Sequence, residues 1–534
     1  MPRAHPTTTP PFDRSHRWTR TLAALVAVGM LASACSDDAT TDASDDGGTW
    51  TWPTDTSPPA TDPGDGTDEE DPDSREPTGS IDWSTSGSLD QGTLDVPLDH
   101  SDPGAGTIEL AVARRPAADP DDRIGAILVN FGGPGASGVE MAGFLGLLFS
   151  SDLRDRFDLV TWDPRGVGDS TQVRCGDGEL MDRFVAADPV PQTPEAEAEV
   201  EAIVREFAEA CERDSGELLP HLHTEASARD MDLIRDAMGE EEISYVGFSY
   251  GTVLGATYAE LFPDRVRAAV LDGAYPRSLG MADKSEGQAM GFERSLDAWF
   301  EWCTPRRCSF AAGGDPAVQF DQLFETIRAG SLPADDPDGR QLTVGLAWTG
   351  VLAALYTPEL WPQLDRGLAT ARDDGDGSGL LSLADFYNER SPGGEYSTLH
   401  YAFTAYTCMD SPAPTPAEEQ AAIEAALEVA PRVGPVFVSA PSPCEFWPVE
   451  AHGSDDPFSI PDAPPILVVA TTGDPATPYE WGVALADELA TGHLLSVEGE
   501  GHTAFGTGNA CVDRTVETYL VELDLPDAGF ECAA

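Results

Sequence analysis

Ile243-Ser244-Tyr245-Val246-Gly247-Phe248-Ser249-Tyr250-Gly251 decides how this chain folds. Apolar Ile243 to Val246 reads as a buried strand, and Val253 to Phe262 continues helically as far as Pro263. Between them Gly247-Phe248-Ser249-Tyr250-Gly251 forms a Gly-x-Ser-x-Gly turn from strand to helix. Such a turn holds its serine in strained backbone geometry, and the flanking glycines let strand and helix approach closely. The hydroxyl then stands clear of its neighbours. Alone the pentapeptide is a weak signal, because the same pattern occurs in surface turns. Context strengthens it: upstream, Thr224 to Gly239 carries Met231, Leu233, Ile234 and Met238 on one side and reads as an amphipathic helix.

A serine hydroxyl is a poor nucleophile at neutral pH, so it needs a base, a group that orients the base, and donors for an oxyanion. On sheets of this kind the acid and then the histidine follow the serine, each after a late strand. Pro465 to Ala470 is a continuous apolar run suited to a buried parallel strand, leading through Thr471-Thr472-Gly473 to Asp474. In Pro475-Ala476-Thr477-Pro478, Thr477 is the expected N-cap and Pro478 the first helical residue, which would fix the loop bearing Asp474. His493 to Val497 reads as the last strand, followed by Glu498-Gly499-Glu500-Gly501-His502. Ser249 is therefore the candidate nucleophile, His502 the base and Asp474 its orienting acid. An aspartate before proline is often a plain turn residue, and a histidine among glycines is often merely solvated. Their arrival in the required order, each behind its own strand, favours the catalytic reading.

The oxyanion donors are expected from the Tyr250 amide and from the loop after the strand Ala126 to Asn130. That loop reads Phe131-Gly132-Gly133-Pro134-Gly135-Ala136-Ser137-Gly138. Its glycines can turn N–H groups towards a substrate oxygen, while Pro134 limits its freedom. Gly133 is the expected second donor, with Gly132 next. A flexible glycine turn is the competing reading.

Four segments together carry a family resemblance: Asn130 to Gly135; Trp162-Asp163-Pro164-Arg165-Gly166-Val167-Gly168-Asp169-Ser170; Gly247 to Thr252; and Gly473 to Pro478. In this order they resemble the secreted tripeptidyl-aminopeptidase group, related to the prolyl iminopeptidases within the α/β-hydrolases. The resemblance runs from about residue 85 to the end. It implies an α/β-hydrolase fold and a serine exopeptidase that works through an acyl-enzyme and releases short peptides, such as tripeptides, from free N-termini. Two departures bear on the pocket: Thr503 follows His502 where relatives often have glycine, and Phe131 stands where many have proline.

With 534 residues and 41% hydrophobic content the chain can build a large core plus an inserted lid. Arg14, His16, Arg17 and Arg20 precede apolar Leu22 to Leu31 and then Ala32-Ser33-Ala34-Cys35. This reads as a signal peptide, with cleavage before Cys35 and lipidation of its thiol; secretion with cleavage nearby is the alternative. From Ser36 to about Gly79 the residues are mostly Asp, Thr, Pro, Gly and Ser, a composition that cannot bury enough apolar surface to order itself and suits an extended tether. The expected plan is a signal peptide (1–34), a lipidated acidic tether (35–82), a first core part (83–275), a helical lid (276–462) and a second core part (463–534). Strands at Ile108 to Arg114, Ala126 to Asn130, Phe157 to Trp162, Ile243 to Val246 and Val266 to Leu271 point to a mostly parallel central sheet of the α/β class.

Behind an export signal, the eight cysteines Cys175, Cys211, Cys303, Cys308, Cys408, Cys444, Cys511 and Cys532 argue for disulfides. Sequence neighbours are the expected pairs. The resemblance supports Cys408 with Cys444, because Cys408-Met409-Asp410 and Cys444-Glu445-Phe446-Trp447-Pro448 match a cysteine pair of that family. Zinc-site spacing is lacking, and neither a metal nor an organic cofactor is implied.

The net charge of -63 opposes nucleic acid and anionic bilayers as partners, leaving a peptide or small-ester substrate and membrane attachment through the N-terminal lipid only. A monomer is expected. An exopeptidase must also meet a free ammonium, for which Asp410, Glu293, Asp297 and Glu301 are the candidate carboxylates; Trp299, Trp302, Trp348 and Trp447 could line an apolar cleft. A carboxylesterase using the same three residues is the alternative. A non-catalytic surface lipoprotein on the same scaffold is a third reading, opposed by the intact triad.

Overall fold

The computed structural model describes residues 79–304, 307–461 and 463–533. The expected signal peptide, the lipidation at Cys35 and the tether up to residue 78 lie outside the described residues. The folded chain begins earlier than the expected tether boundary at residue 82, because Ile81 is buried in the core with Leu94.

Among the described residues twelve strands are present: β1 Ser84–Ser86, β2 Leu89–Pro97, β3 Thr107–Arg115, β4 Gly125–Asn130, β5 Phe157–Trp162, β6 Ile243–Phe248, β7 Val266–Asp272, β8 Leu332–Pro333, β9 Gln341–Leu342, β10 Ile466–Gly473, β11 Gly492–Glu500 and β12 Glu531–Cys532. Ten of them form one sheet in the order β1-β2-β3-β5-β4-β6-β7-β10-β11-β12. The pairs from β5 to β12 are parallel, whereas β1, β2, β3 and β5 pair antiparallel. All residues of β4, β5 and β6 are buried. Covered on both faces, these strands read as unbroken apolar runs.

The chain leaves β4 for β5 on one side, then returns to place β6 on the other. This reversal opens a crevice beyond the carboxyl ends of β4 and β6. The register sets Asn130 opposite Gly247, so the glycine loop after β4 and the serine turn after β6 emerge side by side.

Helices Thr224–Ala237 and Tyr250–Leu261 bury Met231, Ile234, Leu254 and Tyr258 on one face of the sheet, and Ala510–Glu522 buries Val512, Val516 and Leu520 on the other. Between β7 and β10 the chain is mainly helical, with the β8–β9 hairpin, and much of it has a core of its own built on Leu296, Trp299, Phe320, Trp348 and Leu364. Trp299 and Trp348 are therefore packing residues rather than lining for a cleft. Cys175–Cys211, Cys303–Cys308, Cys408–Cys444 and Cys511–Cys532 are bonded, each between sequence neighbours.

The segment Trp162 to Ser170 proves to be structural. Arg165 is fully buried and forks onto Asp230 at 2.8 and 2.7 Å, while its other N–H groups reach the carbonyls of Leu98, His221 and Pro97. Burial alone would raise the Asp230 pKa, but Arg165 and His100 outweigh it and hold the carboxyl below its ordinary value. Removing one partner of such a pair strands a buried charge. Arg165→Met is accordingly expected to lower unfolding stability by about 3–5 kcal/mol in chemical denaturation.

Candidate active site

Ser249 sits at φ 53°, ψ -120°, between the last residue of β6 and the helix Tyr250–Leu261. The turn has no room for side chains around it. A Cβ on Gly247 would lie 2.3 Å from the Gly251 carbonyl oxygen, and one on Gly132 would lie 2.5 Å from the Phe248 carbonyl oxygen and 3.0 Å from the Ser249 Cβ. The Ser249 N–H donates to the Asp272 carbonyl at 2.9 Å, fastening the turn to β7.

His502 follows β11, and its Nδ1 lies 2.9 and 2.8 Å from the two carboxyl oxygens of Asp474, at the end of β10. Asp474 is buried and also accepts from the amides of Ala476 and Thr477 (both 2.9 Å) and from the Thr477 hydroxyl (3.0 Å). An ionised carboxylate only accepts, so Nδ1 carries the proton and Nε2 presents a lone pair. Among the described residues Nε2 is buried without a hydrogen-bond partner, and His502 and Ser249 line the same cavity. The His502 N–H donates to the Tyr356 carbonyl at 2.8 Å, and the two rings meet edge to face at 5.5 Å. Contrary to expectation, Thr477 does not cap the following helix, which starts at Tyr479 after Pro478. Its hydroxyl is taken by Asp474 and lies 3.3 Å from His502 Nδ1.

Of the loop donors, Gly132 gives its N–H to the Asn130 side chain at 2.9 Å and is therefore engaged. Gly133 lines the cavity beside Ser249. Tyr250 is the first residue of its helix, where an N–H has no partner in the preceding turn. The cavity has a volume of about 280 Å³ and is walled chiefly by Phe131, Phe292, Leu352, Tyr356, Tyr387, Leu399, Phe403 and Phe437, with Gln288, Thr349, Glu389 and His400 as polar points.

Residues 430–532 match the family model described as TAP-like protein. The chain is similar to "Serine protease Hip1" of Mycobacterium tuberculosis, 35% identical over 459 residues that make up 83% of this chain and 86% of that protein. It is 38% identical to "Carboxylesterase B" of the same organism over 449 residues, again 83% and 86% of the two chains. With "Tripeptidyl aminopeptidase" of Streptomyces lividans it shares 30% identity over 454 residues, 82% and 83% of the respective lengths. The chain belongs to the TAP-like family. It is a serine hydrolase of the α/β-hydrolase type.

None of the four carboxylates expected to meet a substrate ammonium lines the cavity of this TAP-like hydrolase. Asp297 and Glu301 point to solvent from the outer side of the helix Met281–Trp302. Glu293 is buried but accepts the N–H groups of Arg432 and Val433 at 3.0 and 2.8 Å, just ahead of the helix Gly434–Val438. Asp410 is a tie between helices. It ends the helix Leu399–Asp410 and takes the Thr224 N–H (2.7 Å) and hydroxyl (2.6 Å), and that hydroxyl meets the Tyr250 phenol at 2.7 Å. Lys284, the only lysine in the sequence, lies beside it, with Nζ 3.3 Å from the Ser411 hydroxyl.

Residues that the sequence reading missed complete the site. Asp272, at the end of β7, accepts the amides of Ala504 and Phe505 at 2.9 and 2.7 Å and so holds the loop after His502; burial pushes its carboxyl up to about 6. Asp163 accepts from the Ser137 hydroxyl and the amides of Val139 and Asp169, tying the end of the glycine loop to the turn after β5. An aspartate ending a buried apolar run was a visible signal for both. Tyr356, Glu389 and His400 offered none, since only the folded lid brings them to the cavity.

Burial pushes the Asp410 carboxyl up to about 6, against hydrogen bonds from Thr224 and attraction by Lys284 and His452. A folded pKa above the unfolded one means the native state holds its proton longer, so this group's contribution is greatest at low pH and is lost as pH rises through about 6. Relative to Asp410→Asn, the wild type is therefore expected to lose about 2 kcal/mol of stability between about pH 4.5 and pH 7, read from urea denaturation of both proteins at each pH.

Proposed function

We propose that Ser249, Asp474 and His502 are the catalytic triad of an exported serine exopeptidase that releases short peptides, tripeptides among them, from free N-termini. The observation that carries this reading is the sharing of one cavity by the strained Ser249 and the unpartnered Nε2 of His502, whose Nδ1 is anchored on buried Asp474. Ser249 Oγ attacks the scissile carbonyl while Nε2 takes its proton. The amides of Gly133 and Tyr250 receive the oxyanion, and the imidazolium returns its proton to the leaving amine. Water then repeats the sequence on the acyl-enzyme. Asp474 fixes the tautomer and offsets the charge on the ring.

Cleavage from a free N-terminus is supported by the relative named tripeptidyl aminopeptidase. A second reading, carboxylesterase, is favoured by the 38% identical relative and by the apolar cavity wall. Export with a lipid on Cys35 follows from the N-terminal sequence, and among the described residues no helix is long and apolar enough to cross a membrane.

Ser249→Ala is expected to lose turnover of tripeptidyl amides by about 10⁴-fold or more, and Asp474→Asn by about 10³–10⁴-fold. Turnover by Ser249→Ala equal to wild type would remove the triad assignment. A panel of amides and esters with free and blocked amines decides between the two readings: activity confined to esters, or indifferent to blocking, would leave the esterase.

A further inference from the structure

We infer that Glu389 anchors the free α-ammonium of the substrate in the cavity that holds Ser249. This rests on the exopeptidase reading and names the residue that would give it its specificity. Among the described residues Glu389 is the sole acidic one lining that otherwise largely apolar cavity. It follows the helix Ser378–Tyr387 at φ 51°, a left-handed conformation that a glutamate adopts only when its surroundings impose it. The turn is held from both sides: the Glu389 carbonyl accepts the Ser397 N–H, and the Ser397 hydroxyl donates to one carboxyl oxygen of Glu389.

The carboxyl makes no ion pair among the described residues, and both basic neighbours are committed elsewhere. Arg390, the next residue, turns away to Asp182 (2.8 and 3.1 Å) and Asp338 (2.9 Å). His400, on the cavity wall, bonds Asn388 at 2.9 Å, and burial pulls its pKa down to about 4, so it is neutral at physiological pH. Glu140, Asp169, Asp177 and Glu395 line an adjoining crevice that Glu389 also borders; Arg174 lines it too, its guanidinium donating to the Gln172 side chain at 3.0 Å, so the carboxylates there outnumber the cation. Burial first, and Glu140 second, push the Glu389 carboxyl up to about 7 against the Ser397 hydrogen bond. A half-buried carboxylate without a counter-charge is a site that a cation improves, and the cation an exopeptidase substrate carries is its terminal ammonium. With the acyl carbon at Ser249 and the ammonium at Glu389, the peptide between them is limited to what about 280 Å³ can hold.

The test uses the full-length protein, solubilised in detergent, with trialanyl p-nitroanilide bearing a free or an acetylated N-terminus. A third substrate is acetylated and carries lysine in the tripeptide. Wild type is expected to prefer the free amine by at least about 100-fold in kcat/KM, and E389Q to cut that preference at least about 30-fold, mainly through KM. The ratio is taken within each protein, so a general loss of activity cancels, and fluorophosphonate labelling of Ser249 establishes that the site is folded. In wild type the ratio should also be bell-shaped in pH, falling below about 7 as Glu389 protonates and above about 8 as the α-ammonium loses its proton. That measurement holds even if E389Q does not fold. An unchanged ratio in E389Q, a flat pH profile, or a loss confined to the lysine substrate overturns the assignment to Glu389 while leaving the exopeptidase reading in place. Absence of any free-amine preference in wild type overturns both.

Discussion

The close approach of backbone around Ser249 is the constraint from which the rest of the site follows. Gly247, Gly251 and Gly132 bring β6, its following helix and the loop after β4 together at distances no Cβ would tolerate. The serine accepts a left-handed conformation as a result. Strain of this kind persists only where surrounding structure over-determines it. Here the N–H of Ser249 is fixed to β7, and β7 in turn lies beside β10, which leads to Asp474. The proposed nucleophile and its partners are thereby positioned by one continuous sheet, and loops have only to complete them.

A second layer of the structure consists of buried carboxylates that hold loops and helices together. Asp163 ties the glycine loop to the turn after β5, Asp230 locks Arg165, Asp272 holds the segment after His502, and Asp410 joins the lid to the start of the helix Thr224–Ala237. Each accepts two or more hydrogen bonds. Burying a charge is costly unless such partners are supplied, and the backbone amides and arginine supply them. In a chain with 94 acidic residues, these few differ from the rest by where the fold places them.

That difference explains what was legible in the sequence. β4, β5, β6, β7 and β10 matched apolar runs closely, because a parallel strand covered on both faces has no polar side to confuse the pattern. The serine turn and the aspartate and histidine behind later strands were readable because each sits at a strand end, where sequence position and spatial position coincide. β1, β2 and β12 were not read: β2 alternates polar and apolar residues at the half-exposed side of the sheet, and the others are two or three residues long. The carboxylates expected to meet a substrate ammonium do not line the cavity; helical periodicity does not say which acidic side chain is turned inward. Glu389 lies at an irregular turn, with no periodic signal at all.

Short strands stand at the two ends of the sheet. One is closed by β1, three exposed residues paired antiparallel to β2, and the other by β12, two residues fastened to the body of the protein through Cys511–Cys532. Long unpaired strand margins are templates on which further chains can add. β1 covers only Leu89 to Gln91 of β2, and β12 only Ser496 and Val497 of β11, so a foreign strand meets an interrupted ladder at either border, and the strongly like-charged exterior opposes the encounter. Opposition to strand addition is thus placed at the margins of the same sheet whose centre carries Ser249.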